Sequence, residues 1–224
     1  MNAPEKNPEK HPETENKREE ILRDLYKQRR NRIIVMSLLL LTLLITVIYG
    51  TLENPFLYTL SNIGNFFNYR YIFILWAIVT GICIQASCVA LYKLENFRHK
   101  RSYTFIVYAS VFLILTAVIP ALKDRFPFWH YVHTFTAFYY ALFLILSLQP
   151  FTHHISRETP RLKTFIRNWE YVILGGSFLA IIIFRKSGIF EIWFIITITL
   201  FLLYLSIALY EEHIVKKKCS TSTE

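Results

Sequence analysis

Residues 33–50 read IIVMSLLLLTLLITVIYG, an 18-residue run without a single charged side chain. A bilayer core about 30 Å thick is crossed by a helix of ~20 apolar residues, so this run predicts a membrane span. It follows 32 largely polar residues, and no small-x-small cleavage site comes after Gly50. We therefore interpret it as a retained span and not as a cleaved signal peptide.

Five more apolar runs follow the first one along the chain. The fifth run of the six is short, so we expect it to extend back through residues 165–169 or to tilt less than its neighbours. Together the runs predict an all-α membrane protein, a bundle of six transmembrane helices. The six runs are Ile33–Gly50, Tyr71–Tyr92, Tyr103–Ile119, Trp129–Leu148, Tyr171–Phe184 and Ile189–Tyr210.

The distribution of Lys and Arg predicts the orientation of this bundle. Of the 25 basic residues, 20 lie in the N-terminal tail, the loops after spans two and four, and the C-terminal tail. The loops on the other side hold the remaining five. Cytoplasmic loops are enriched in Lys and Arg, so both termini are predicted to be cytoplasmic.

The same pattern divides the chain into a membrane domain, residues 33–210, and two basic cytoplasmic tails, residues 1–32 and 211–224. The first tail is polar and predicted to be disordered. Its last part, residues 19–32, suits either a basic amphipathic helix on the membrane surface or a solvated stem.

The net charge of +9 does not indicate nucleic-acid binding, because the basic residues flank apolar runs instead of forming one patch. The three cysteines, Cys83, Cys88 and Cys219, show no disulfide spacing. No charged residue lies deep in any run, which disfavours an ion-coupled transporter. We expect mid-membrane polar residues such as Gln85 and Ser110 to hydrogen bond between helices or to their own backbone.

Polar side chains concentrate instead in the predicted outer loops and at the start of span four. His130 and His133 are three residues apart and share one helical face, which we expect to point into the bundle. The first outer loop is expected to form a structured turn in which Asn and Gly serve turn geometry. The candidate outer-face cluster comprises Ser61, Asn65, Arg70, Asp124, His130 and His133.

A metal site is one interpretation of this cluster, with His130, His133 and Asp124 as the candidate ligands. A catalytic zinc ion needs three protein ligands, and the other five histidines are predicted on the cytoplasmic side. Glu53 and Glu191 are the remaining outer carboxylates that could serve. We favour a structural pair of histidines bonded to loop residues or headgroups, and we expect no cofactor.

Several short motifs resemble a known family: SNIG at 61–64, Arg70 entering span two, Ile119-Pro120 closing span three and FWHYVHT at 128–134. They resemble bacterial six-span proteins of a domain family without an assigned function, itself distantly similar to the damage-regulated autophagy modulators. The resemblance covers roughly residues 33–210. It implies a six-helix architecture in a bacterial plasma membrane, and it implies no reaction.

A weaker similarity is to the alkaline ceramidase and progestin-receptor superfamily, whose membrane hydrolases hold zinc with three His beside a Ser and an Asp. Ser61, Asp124, His130 and His133 match part of that set, but the third His is missing on this side.

Three functional hypotheses follow from these observations. The leading one is a non-enzymatic six-helix protein whose outer mouth binds lipid, for example anionic headgroups, or a protein partner. The second is a metal-dependent lipid hydrolase that uses His130 and His133. The third is a transporter of small solutes or lipid.

Overall fold

The computed structural model describes residues 12–185 and 187–221, and within these ranges every regular element is a helix. Residues 1–11, the start of the predicted disordered tail, lie outside the described residues. The helices are α1 Pro12–Gly50, α2 Leu60–Phe66, α3 Arg70–Leu94, α4 Lys100–Val118, α5 Pro127–Glu158, α6 Pro160–Phe184 and α7 Gly188–Thr221.

Six helices in the described part of the chain are long and apolar enough to cross a membrane, which confirms the predicted all-α, six-helix architecture. The short fifth run belongs to α6, which has 25 residues and begins at Pro160. The expected backward extension is therefore confirmed. Pro160 is favourable at the start of this helix, because a proline at the first helical position has no N–H to leave unpaired.

Helix α1 is 39 residues long and joins the N-terminal segment to the first span without a break. Residues 19–32 are helical throughout. Their position relative to a membrane surface stays a prediction, as does the domain boundary at residue 32.

The spans form a closed ring in which each helix packs against the next one along the chain and α7 returns to α1. Helices α3 and α7 also touch each other across the ring, and they are the two most buried spans. Their large core side chains include Ile84, Leu91, Ile198 and Leu202, all at most 1% exposed. Lipid is as apolar as these residues, so close van der Waals packing must hold the helices together.

The guanidinium of Arg32 stabilises the end of the bundle at which the first span begins and the last span ends, which we call the terminal end. Its Nη1 donates to the Ser206 carbonyl at 3.0 Å, and its Nη2 pairs with the Glu95 carboxylate at 2.5 Å. The cation also lies 5.8 Å from the ring centre of Tyr210. Arg32 is only 3% exposed, so it joins α1, α7 and the end of α3 from inside the protein.

Replacing Arg32 with Ala is expected to lower the free energy of unfolding by about 3 kcal/mol, because Glu95 would keep a largely buried charge without a partner. The matched control is Arg161→Ala, which removes a 3.4 Å pair with Glu212 whose Arg side chain is 80% exposed. That change should cost less than about 1 kcal/mol. Chemical denaturation in detergent micelles measures both, and equal losses would contradict the role given to Arg32.

Candidate functional site

The short helix α2 closes the bundle at the end opposite the termini, which we call the far end. Thr59 caps it, because its hydroxyl accepts a hydrogen bond from the Asn62 backbone N–H at 3.1 Å. Leu60, Ser61, Ile63 and Gly64 are all buried. Helix α2 is therefore a lid that is packed into the mouth of the bundle.

Two side chains from the neighbouring spans hold the first residue of the lid. The Leu60 N–H donates to Glu191 Oε2 at 2.8 Å, and the Tyr49 hydroxyl donates to the Leu60 carbonyl at 2.8 Å. A carboxylate at a helix N-terminus satisfies an otherwise unpaired N–H and complements the helix dipole. Tyr49 is itself fixed by stacking on Trp76, with ring centres 4.9 Å apart.

Gly64 lets the lid lie directly on α3. A Cβ atom at this position would lie 2.4 Å from Cβ of Phe73, so only glycine permits the approach. The expectation that this glycine serves turn geometry is wrong, because Gly64 lies inside a helix and does not have a positive φ. The turn residue is Asn68, whose φ of 63° suits the reversal between α2 and α3.

Arg70 connects the lid to α4. Its Nη1 donates to Asn65 Oδ1 at 3.0 Å, and Asn65 Nδ2 donates to the Ser61 carbonyl at 2.7 Å. Its Nη2 donates to the Val118 carbonyl, the last residue of α4, at 2.8 Å. Three members of the predicted cluster, Ser61, Asn65 and Arg70, therefore lie in one network.

The two histidines bind the chain that leaves α4. Nδ1 of His133 lies 3.0 Å from the Ile119 carbonyl, and Nδ1 of His130 lies 2.7 Å from the Ala121 carbonyl. Each Nδ1 must carry a proton to bind a carbonyl oxygen. Pro120 lies between Ile119 and Ala121. Because proline has no backbone N–H, α4 cannot continue through this segment. His133 is 5% exposed, so it points inward as expected, whereas His130 is half-buried.

Ser61 and Asp124 have different surroundings. The Ser61 hydroxyl lies 3.1 Å from that of Thr59, within the lid. Asp124 is exposed on the loop between α4 and α5. Within the part of the chain that the structure describes, no three His, Cys, Asp or Glu side chains could hold a metal ion together.

Two lateral grooves near the terminal end were not predicted from the sequence. One lies between α3 and α4 and includes Gln85 and Lys93. The other lies between α5 and α6, where the one-turn spacing of Lys163 and Arg167 is a signal that the sequence does contain. Its lining residues are Gln149, Pro150, Thr152, His153, Ser156, Lys163, Ile166, Arg167 and Glu170.

Comparisons with known proteins leave these sites to be interpreted from their own geometry. No protein-family model matches the chain, and no curated protein or solved structure is significantly similar to it.

Substituting Gly64 with Ala should destabilise the protein by about 1–3 kcal/mol, since the added methyl must push the lid away from Phe73. Gly175→Ala is the control, because a Cβ at this glycine of α6 meets nothing within 4 Å. That change should be neutral or should stabilise by up to about 1 kcal/mol through helix propensity. Thermal unfolding in detergent distinguishes them, and a harmless Gly64→Ala would show that the lid is not tightly seated.

Proposed function

We propose that this integral membrane protein is a non-enzymatic lipid-binding protein of the bacterial plasma membrane. Its site is the groove between α5 and α6, and its ligand is an anionic phospholipid headgroup. The observation that carries the proposal is the grouping of cationic side chains along this groove at the terminal end of the bundle. The bacterial location rests on the family resemblance and is part of the proposal.

The groove has a volume of about 460 Å³, in the range of small-ligand sites. It runs past Pro150, which lies inside α5 and leaves one backbone carbonyl of that helix without its usual donor. Lys163 and Arg167 of α6 and His153 of α5 line it and are exposed. The N–H groups of these side chains can donate hydrogen bonds to the oxygens of a phosphate group.

One acidic residue, Glu170, also lines the groove, and it lies deeper along α6 than the two basic residues. The Thr152 hydroxyl donates to its Oε1 at 3.1 Å. This hydrogen bond connects α5 to α6 and gives the carboxylate a partner within the protein. Lys163 and Arg167 are the Lys and Arg side chains that line the groove, and both lie nearer than Glu170 to the start of α6, where headgroups lie.

The charge distribution supports the cytoplasmic placement of this groove. It lies at the end of α5 and the start of α6, in one of the four basic segments that predict a cytoplasmic terminal end. The cytoplasmic leaflet carries the anionic lipids of a plasma membrane, and each nearby Lys or Arg contributes about 1 kcal/mol of attraction.

The far end supports a binding role less well than the sequence suggested. Arg70, His130 and His133 already bind backbone carbonyls there, and the lid covers the mouth. Among the described residues, the hydrolase hypothesis finds no group of three metal-binding side chains, and the Ser61 hydroxyl pairs with that of Thr59. No observation favours the transporter hypothesis over lipid binding.

The test compares lipid binding by the purified protein in nanodiscs of phosphatidylcholine with and without phosphatidylglycerol. Wild type should enrich phosphatidylglycerol, counted by native mass spectrometry. The double variant Lys163→Gln/Arg167→Gln should bind it about 10- to 30-fold more weakly, because two attractions of about 1 kcal/mol are lost.

The matched control is Lys123→Gln/Arg125→Gln, which removes the same charge from the exposed loop at the far end. Equal binding by both variants, or no enrichment by wild type, would contradict the proposal. Stoichiometric zinc that disappears on changing His130 and His133 to Ala would support the hydrolase instead.

A further inference from the structure

We propose that the groove between α5 and α6 selects a monoacyl phospholipid, whose free glycerol hydroxyl donates a hydrogen bond to the Glu170 carboxylate. This inference rests on the proposed lipid-binding function and names the ligand within its class. It makes Glu170 the residue that determines specificity, whereas Lys163 and Arg167 attract the phosphate.

The charged side chains of this groove are ordered along its length. Lys163 and Arg167 lie nearer the start of α6, and Glu170 lies three residues beyond Arg167. Three residues of a helix correspond to about 4.5 Å along its axis, so the acceptor lies deeper in the bundle than the cations. A ligand that matches this order has an acceptor near the headgroup surface and a donor just beneath it.

The Glu170 carboxylate can accept a further hydrogen bond. Its Oε1 accepts from the Thr152 hydroxyl at 3.1 Å, and a carboxylate offers about four lone-pair positions. The salt bridges among the described residues do not include one to Glu170. Its side chain is only partly buried and lines the groove, so a donor from a ligand can reach it.

A second acceptor lies at the deep end of the groove. Pro150 lines the groove and has no backbone N–H, so the Leu146 carbonyl four residues earlier lacks its helical donor. Gln149 also lines the groove, and its amide has both a donor and an acceptor. Acceptors therefore outnumber donors at this end, which favours a ligand that brings a donor with it.

The chemistry of phospholipids decides which of them supplies that donor. On the acyl side of its phosphate, a diacyl phospholipid presents ester oxygens, which only accept hydrogen bonds and leave Glu170 without a donor from the ligand. A monoacyl phospholipid has a free hydroxyl on the glycerol carbon next to the one that carries the phosphate. This hydroxyl lies a few bonds deeper than the phosphate, as Glu170 lies deeper than Arg167.

Lipid binding in phosphatidylcholine nanodiscs tests this assignment. Separate nanodiscs contain a small fraction of lysophosphatidylglycerol or of its 2-deoxy analogue, which lacks only the free hydroxyl. By native mass spectrometry, wild type should bind the first lipid about 10-fold more strongly, the effect of one hydrogen bond to a charged acceptor. Glycerol 3-phosphate in millimolar excess should not displace it, because it has no acyl chain.

Glu170→Gln should bind the two lipids within about 2-fold of each other, since its amide oxygen can keep the Thr152 bond while its N–H groups face the groove. The matched control is Glu158→Gln, which removes the same charge from an exposed position at the end of α5. It should keep the preference of wild type. Lys163→Gln/Arg167→Gln should weaken the binding of both lipids equally.

The outcomes separate this inference from the function on which it rests. Enrichment of anionic lipids through Lys163 and Arg167 without a preference for the free hydroxyl would overturn the inference alone. No enrichment of any anionic lipid would overturn both. A preference that persists in folded Glu170→Gln, or displacement by glycerol 3-phosphate, would also contradict the inference. If thermal melting shows that Glu170→Gln is unfolded, the comparison of the two lipids on wild type decides.

Discussion

The far end of this protein depends on one hydrogen bond, from the Leu60 N–H to the Glu191 carboxylate. A helix that begins inside a membrane bundle has N–H groups without intrahelical partners, and each costs several kcal/mol if it stays unpaired. Glu191 comes from α7, 131 residues later in the chain, and satisfies this donor. When α2 is held in this position, Gly64 packs against Phe73, and Arg70 donates a hydrogen bond to Asn65 of the lid.

The same requirement explains the other polar residues at this end. Helix α4 stops before Pro120, which leaves the carbonyls of the departing chain without helical donors. Arg70, His133 and His130 donate to the carbonyls of Val118, Ile119 and Ala121 in turn. Side chains that resemble part of a catalytic set therefore satisfy backbone carbonyls that the end of α4 leaves without helical donors. This is why the proposed lipid site lies in the lateral groove between α5 and α6 instead.

The sequence could predict the six spans, because span length and hydrophobicity follow directly from bilayer thickness. It could also predict that His130 and His133 share one helical face, because that depends only on helical spacing. It could not identify their acceptors, since any residue type provides a carbonyl. Arg32 was counted with the basic tail for a similar reason: nothing in its neighbours shows that Glu95 and Ser206 meet it inside the bundle.

Hydrogen exchange at the backbone of α2 tests most directly whether Glu191 holds the lid. In nanodiscs, the amides of residues 60–64 should be protected in wild type and should exchange about 10- to 100-fold faster in Glu191→Leu, which cannot accept the bond. Glu191→Gln should remain largely protected, because its amide oxygen still accepts from Leu60, and exchange in α3 should not change. Unaltered exchange of these amides in Glu191→Leu would contradict the account.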